Sequence, residues 1–174
     1  MHHPFFKERK RWMTKLNNET PKALVIHCSD PRFQKAFKDF IHNNLGLAEG
    51  EYIPIIVPGS IASLGSSISI LLPKRQKVLL DNIKLMFERN QGTTIRLILF
   101  NHEDCRSYAE IFGKLKKYIA KLPDAIEREV SDLEFAGKVI HAAAKFFKVD
   151  CQPELYLARI GKDDEVVFDK YALE

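Results

Sequence analysis

The chain has 174 residues, a length that suggests one domain with room for a sizeable core. Its 45% hydrophobic and 29% charged content is ordinary for a globular protein and argues against disorder, collagen and coiled coil. The net charge is +4, much of the excess sits in the run Lys7 to Lys15, and three cysteines are too few for a full disulfide framework.

No apolar run reaches the roughly 18 residues of a membrane span. The nearest, Tyr52 to Leu72, is broken by prolines, glycines and serines. The opening MHHPFFKERKRW has no apolar stretch behind its basic residues, so it does not read as a secretory signal. A cytoplasmic, reducing setting is expected, in which the cysteines are inert, metal-binding or catalytic. The basic start could touch nucleic acid. A solvated helix face is the plainer reading, and nucleic acid is not an expected partner.

In chain order, an N-terminal arm over residues 1–20 holds a short helix from Phe5 to Lys15. The run KALVIHC, Lys22 to Cys28, predicts a buried parallel strand. A helix follows from about Arg32 to Asn43, with Phe33, Ala36, Phe37, Phe40 and Ile41 as its apolar stripe. The second strand is Tyr52 to Val57, followed by a Pro-Gly-Ser loop and a segment rich in Ser and Ile. Pro73 opens a helix to Arg89, with Leu79, Ile83 and Met86 facing inward. The third strand is Thr94 to Asn101. One helix is expected from Arg106 to Lys121. Another starts at Pro123 and runs to about Lys148, with Val130, Leu133, Ile140, Ala143 and Phe147 on one face. Glu154 to Ile160 is the fourth strand, Gly161 to Asp164 a turn, and Glu165 to Phe168 an antiparallel edge strand. The alternation predicts a single α/β domain with a mostly parallel sheet and helices on both faces.

Strands one and three both run apolar and then stop on metal-capable side chains. The first ends at Cys28, followed by Ser29-Asp30-Pro31-Arg32, and the third at His102, followed by Glu103-Asp104-Cys105. Ligands gather outside the carboxyl ends of strands in open α/β sheets. Adjacent strands would bring Cys28, His102 and Cys105 together. Two sulfurs and an imidazole suit Zn²⁺, with a fourth position open. Cys-x-Asp-x-Arg is expected by chance roughly 0.01 times in such a chain and His-x-x-Cys roughly 0.1 times, so the pair is far more specific than either motif alone.

CSDPR at 28–32 with HEDC at 102–105 resembles the β-class carbonic anhydrases. That resemblance implies zinc on Cys28, His102 and Cys105 and an Asp30–Arg32 dyad beside the metal. It further implies a homodimer with the site near the subunit interface and reversible hydration of CO₂ to bicarbonate. The pattern is a divergent one. The family usually has Gly before the His and after the second Cys, where this chain has Asn101 and Arg106. It usually reads Asn-Ala-Gly after the second strand, where this chain reads Val57-Pro58-Gly59-Ser60, and the dyad spacer is Pro31, often Ser in the family.

Plainer readings stand beside these. Cys28 alone reads as a buried strand cysteine. Asp30 could cap a helix, and Arg32 could be a surface ion pair. Glu103 and Asp104 read as solvated residues at a helix start, with support of the residues around the metal or proton transfer as their functional alternative. His27 should point to the opposite sheet face from Cys28 and be a satisfied core histidine. His42 and His141 show no ligand spacing, and Cys151 reads as inert. Gly59-Ser60 reads equally as an anion cradle or a turn. Three functions compete: a zinc lyase hydrating CO₂, the same site hydrolysing CS₂ or carbonyl sulfide, and a zinc-stabilised binding or regulatory protein without turnover.

Overall fold

A computed structural model describes residues 20–65, 73–115 and 125–173. The elements are β1 (Ala23–Cys28), α1 (Gln34–Asn43), β2 (Tyr52–Val57), a 3₁₀ turn (Ser60–Leu64), α2 (Pro73–Arg89), β3 (Arg96–His102), α3 (Arg106–Leu115), α4 (Ala125–Phe146), β4 (Pro153–Ile160) and β5 (Val166–Tyr171). The helix expected at Phe5 to Lys15, the Ser- and Ile-rich segment at 66–72 and the helix boundaries expected at Lys121 and Pro123 lie outside the described residues.

The strands form one sheet in the order β2-β1-β3-β4-β5. The first three pairings are parallel and β4 with β5 is antiparallel, as the sequence predicts. The fold is α/β. Pro54 sits in β2, an edge strand, where a residue lacking an N–H is tolerated.

Alternation along the central strands divides two cores. Leu24, Ile26, Leu97, Leu99, Leu155 and Leu157 face α2 and α4, together with Leu79, Ile83, Phe87, Leu133 and Ile140. Ala23, Val25, Ile98, Phe100, Tyr156 and Ala158 face α1, together with Phe33, Phe37 and Ile41. A period of two is what the pleat dictates. Each fully buried Phe or Leu contributes about 1.5–3 kcal/mol. Phe87 takes the innermost place in α2, and Met86, expected there, packs at the margin. The chain leaves β1 toward one edge through α1 and returns across the sheet through α2. A right-handed crossover puts those two helices on opposite faces once the direction reverses.

Several boundaries differ from expectation by a few residues. α1 begins at Gln34 because Pro31 to Phe33 form a turn, in which the Phe33 N–H donates to the Asp30 carbonyl at 3.3 Å. β3 begins at Arg96, since Thr94 makes only an isolated bridge to Asp150, and it continues through His102. β5 extends to Tyr171 because its backbone pairs with β4 over six residues.

The point of reversal lies between β1 and β3. Pairing of β1 with β2 continues to Cys28↔Val57, and pairing of β3 with β4 continues to His102↔Ala158. Pairing of β1 with β3 stops at Ile26↔Leu99. The two strands therefore part just where their motifs begin. This is the topological switch point at which doubly wound sheets bind ligands.

Candidate metal centre

Cys28 is the last residue of β1, His102 the last of β3, and Cys105 immediately precedes α3. Their ligand atoms all lie within 4.8 Å of one another, and all three residues are buried. The two sulfurs are 3.9 Å apart. Cys28 and Cys105 are free thiols, as is Cys151.

The backbone prepares each ligand. His102 donates its Nδ1–H to the carbonyl of Glu103 at 2.9 Å. That fixes the tautomer and leaves Nε2 as a bare acceptor. Nε2 is buried and has no hydrogen-bond partner. An orphaned imidazole nitrogen facing two thiols in a protein interior is the arrangement of a metal ligand. Cys28 Sγ accepts the Gly59 N–H at 3.2 Å. Its thiol is held well below the usual range, chiefly by donation from the Cys105 S–H, then by the neighbouring His102 imidazole and by the backbone N–H groups of Gly59 and Asp30, against the opposing effect of burial. Cys105 is pushed up by the Cys28 sulfur and by burial, while the backbone N–H groups of Ser107 and Tyr108 at the start of α3 oppose that shift. These groups can hold a metal ion that favours sulfur and imidazole.

The Pro-Gly-Ser loop is thus more than a plain turn. Gly59 takes φ +79°, a conformation that aims its N–H at Cys28. Ser60 follows at φ +49° and donates its hydroxyl to the Phe100 carbonyl, tying the loop to β3.

Asp30 and Arg32 form the expected dyad. Arg32 Nη2 reaches Asp30 Oδ2 at 2.8 Å, Nε reaches Oδ1 at 3.1 Å, and the Arg32 backbone N–H reaches Oδ1 at 3.0 Å. The guanidinium holds the Asp30 carboxyl down to about 2, so it is ionised throughout the physiological range. The Asp30 side chain is only 8% exposed. With Cys28 and Cys105, Asp30 lines a cavity of about 200 Å³.

Two residues hold this dyad, of which Gln34 lies outside the motifs. Asp104 accepts Arg32 Nη1 on its carboxylate at 2.7 Å and Nη2 on its carbonyl at 2.8 Å. The carbonyl is turned that way by a left-handed backbone, φ +56°. Asp104 is therefore not simply solvated. Gln34 donates its side-chain amide to the carbonyls of Cys28 and Asp30, at 2.9 and 2.8 Å, and braces the loop between ligand and dyad. Glu103 is engaged too, since its carboxylate accepts the Ile160 N–H at 3.0 Å.

His27 points away from the centre, packs on Phe37 and donates Nδ1–H to the Cys28 carbonyl. Burial lowers its pKa, as for a neutral core histidine. Cys151 is buried and its thiol is pushed up to about 11 by burial, consistent with an inert role. Asn101, in the place before His102, donates its side-chain amide to Tyr108 Oη at 3.0 Å and to the Glu129 carbonyl at 2.9 Å. It pins α3 and α4 to the end of β3.

Among the described residues, no helix is long and apolar enough to cross a membrane. In comparisons with known proteins, the chain matches no family model, no curated protein and no solved structure.

Proposed function

We propose that the chain is a zinc-dependent lyase that reversibly hydrates carbon dioxide to bicarbonate, in the manner of the β-class carbonic anhydrases that its motifs resemble. One observation carries this reading: an ionised acceptor, Asp30, is clamped by Arg32 in the same cavity as the sulfurs of Cys28 and Cys105.

The donor set fits zinc. Two sulfurs, each about 2.3 Å from a tetrahedral ion, stand about 3.8 Å apart. Cys28 and Cys105 stand at 3.9 Å. Three protein ligands leave a fourth position for the reacting water. When bound, zinc supplies Lewis acidity that lowers the pKa of water toward neutrality. The two thiolates cancel the ion's formal charge, so the field at that water is weaker than with three neutral histidines, and activity should rise with pH above neutrality.

The chain's own residues do the rest. Asp30 is ionised and can only accept, so it takes the O–H of the attacking water and aims a lone pair at carbon. Arg32 keeps the carboxylate charged and fixed. Arg32 is fixed in turn by Asp104, and the Cys28–Asp30 loop by Gln34. The product proton leaves to solvent.

Stopped-flow CO₂ hydration by zinc-loaded protein tests the reading. Turnover above buffer is expected, and Asp30→Asn should lower it about 10²-fold or more with zinc retained. Zinc-loaded protein no faster than buffer would select the binding-protein reading instead.

A further inference from the structure

The cavity over the metal ligands has one uncommitted guanidinium. Arg32 lines it, but Nε, Nη1 and Nη2 all donate to Asp30 or Asp104. Arg106 lines it as well, at the first position of α3 and next to the ligand Cys105. It is exposed, and among the described residues it pairs with no carboxylate. The hydroxyl-bearing Ser29 and Ser107 share the wall. Pro31 is the one side chain of the lining that is neither polar nor sulfur-bearing.

The uncommitted guanidinium favours an anion. Arg32 is shared between Asp30 and Asp104. Arg106, at the mouth of the cavity, is the guanidinium of the lining without a carboxylate partner among the described residues. A neutral gas molecule gains nothing from a guanidinium. A flat monoanion does, because its two oxygens match the guanidinium fork.

We propose that Arg106 is the anion-docking residue of this centre, holding a small planar monovalent oxyanion, of the carboxylate or bicarbonate type, in the cavity beside Cys28 and Cys105. The proposal rests on the reading of Cys28, His102 and Cys105 as a metal centre. It makes Arg106 a specificity-determining residue, acting on the charged partner of the reaction rather than on the neutral one. In a CO₂ hydratase its loss raises the KM for bicarbonate in dehydration and leaves the KM for CO₂ nearly unchanged.

The test separates docking from turnover by using formate, a planar monoanion that the reaction does not consume. Zinc-loaded protein is titrated with formate at low ionic strength, and backbone amide shifts are followed by NMR. Saturable shifts centred on Cys105 to Ser107 are expected. Arg106→Gln should raise the formate Kd about tenfold or more, since one charge-assisted pair is lost. Arg106→Lys should fall between the two, because an ammonium keeps the charge without the fork. Lys35→Gln, which alters a charge outside this cavity, should leave the Kd unchanged. Metal content is measured in every variant. Formate binding to Arg106→Gln with the wild-type Kd overturns the proposal, and so does wild-type protein with no saturable shift. Formate binding that depends on Arg106 in a protein without CO₂ turnover upholds the docking role and sinks the hydratase reading alone.

Discussion

The sulfurs of Cys28 and Cys105 stand 3.9 Å apart although 77 positions separate the two residues. That distance is nearly twice the roughly 2.05 Å of a disulfide and matches two ligands of one ion. It exists because β1 and β3 are neighbours that part after Ile26↔Leu99, leaving room between their ends.

The first prediction follows from that separation. The chain should bind one zinc per molecule, and Cys28→Ser, His102→Ala and Cys105→Ser should each abolish stoichiometric binding by elemental mass spectrometry. Zinc should also raise the Tm, since a ligand held only by the folded state stabilises it by about 4 kcal/mol at a thousandfold excess over Kd. X-ray absorption should give two sulfurs near 2.3 Å. A wild-type Tm indifferent to zinc would refute the centre.

The second concerns Asp104, which reaches Arg32 across 72 positions. Its side chain is 67% exposed, so Asp104→Ala should change stability by less than about 1 kcal/mol. Its effect should appear in turnover. A loss of roughly three- to tenfold is expected for Asp104→Ala and about 10²-fold for Arg32→Ala. The double variant should be no slower than Arg32→Ala, because Asp104 acts through Arg32. Additive losses would show that Asp104 has a separate role.

Gly59 gives the third prediction. Its φ of +79° disfavours any side chain, and a Cβ there would lie 3.1 Å from the Ser107 Cβ. Gly59→Ala should cost about 1–2 kcal/mol in denaturant unfolding. Displacing the N–H that Cys28 Sγ accepts should also weaken zinc about tenfold or more in a chelator competition. Wild-type zinc affinity in a destabilised Gly59→Ala protein would separate the glycine from the metal.

The fourth concerns pH. Burial raises the Glu129 carboxyl from an ordinary 4.5 to about 8, and its Oε2 is buried without a hydrogen-bond partner. Between those values the folded chain keeps a proton that the unfolded chain releases. The contribution to stability is complete below the unfolded pKa and is lost as pH rises through the folded one. Glu129→Gln removes that titration. It should be more stable than the parent near pH 9, by on the order of a few kcal/mol, and the two should converge toward about pH 4.5. An unchanged fall in stability from about pH 6 to 9 would assign the titration to another group.

What the sequence by itself determined was local. Alternating strand positions, the helical stripe of Phe33, Phe37 and Ile41, and the ends of β2 and α2 all follow from residue type and period. The three metal-capable residues and the dyad were legible because each motif is short and lies within one strand-to-loop segment. Long-range pairing was not. Asp104 reaches Arg32 only because its left-handed backbone turns a carbonyl toward another loop, and Gly59 reaches Cys28 only because β2 lies beside β1. Gln34 braces the loop that carries Asp30 only because the turn before α1 brings its amide back onto the Cys28 and Asp30 carbonyls. Burial of Glu129 beneath the end of β3 likewise depends on how α4 packs. Tertiary structure decides such contacts because a hydrogen bond needs two groups within about 3 Å, and sequence fixes that distance only for residues a turn or so apart.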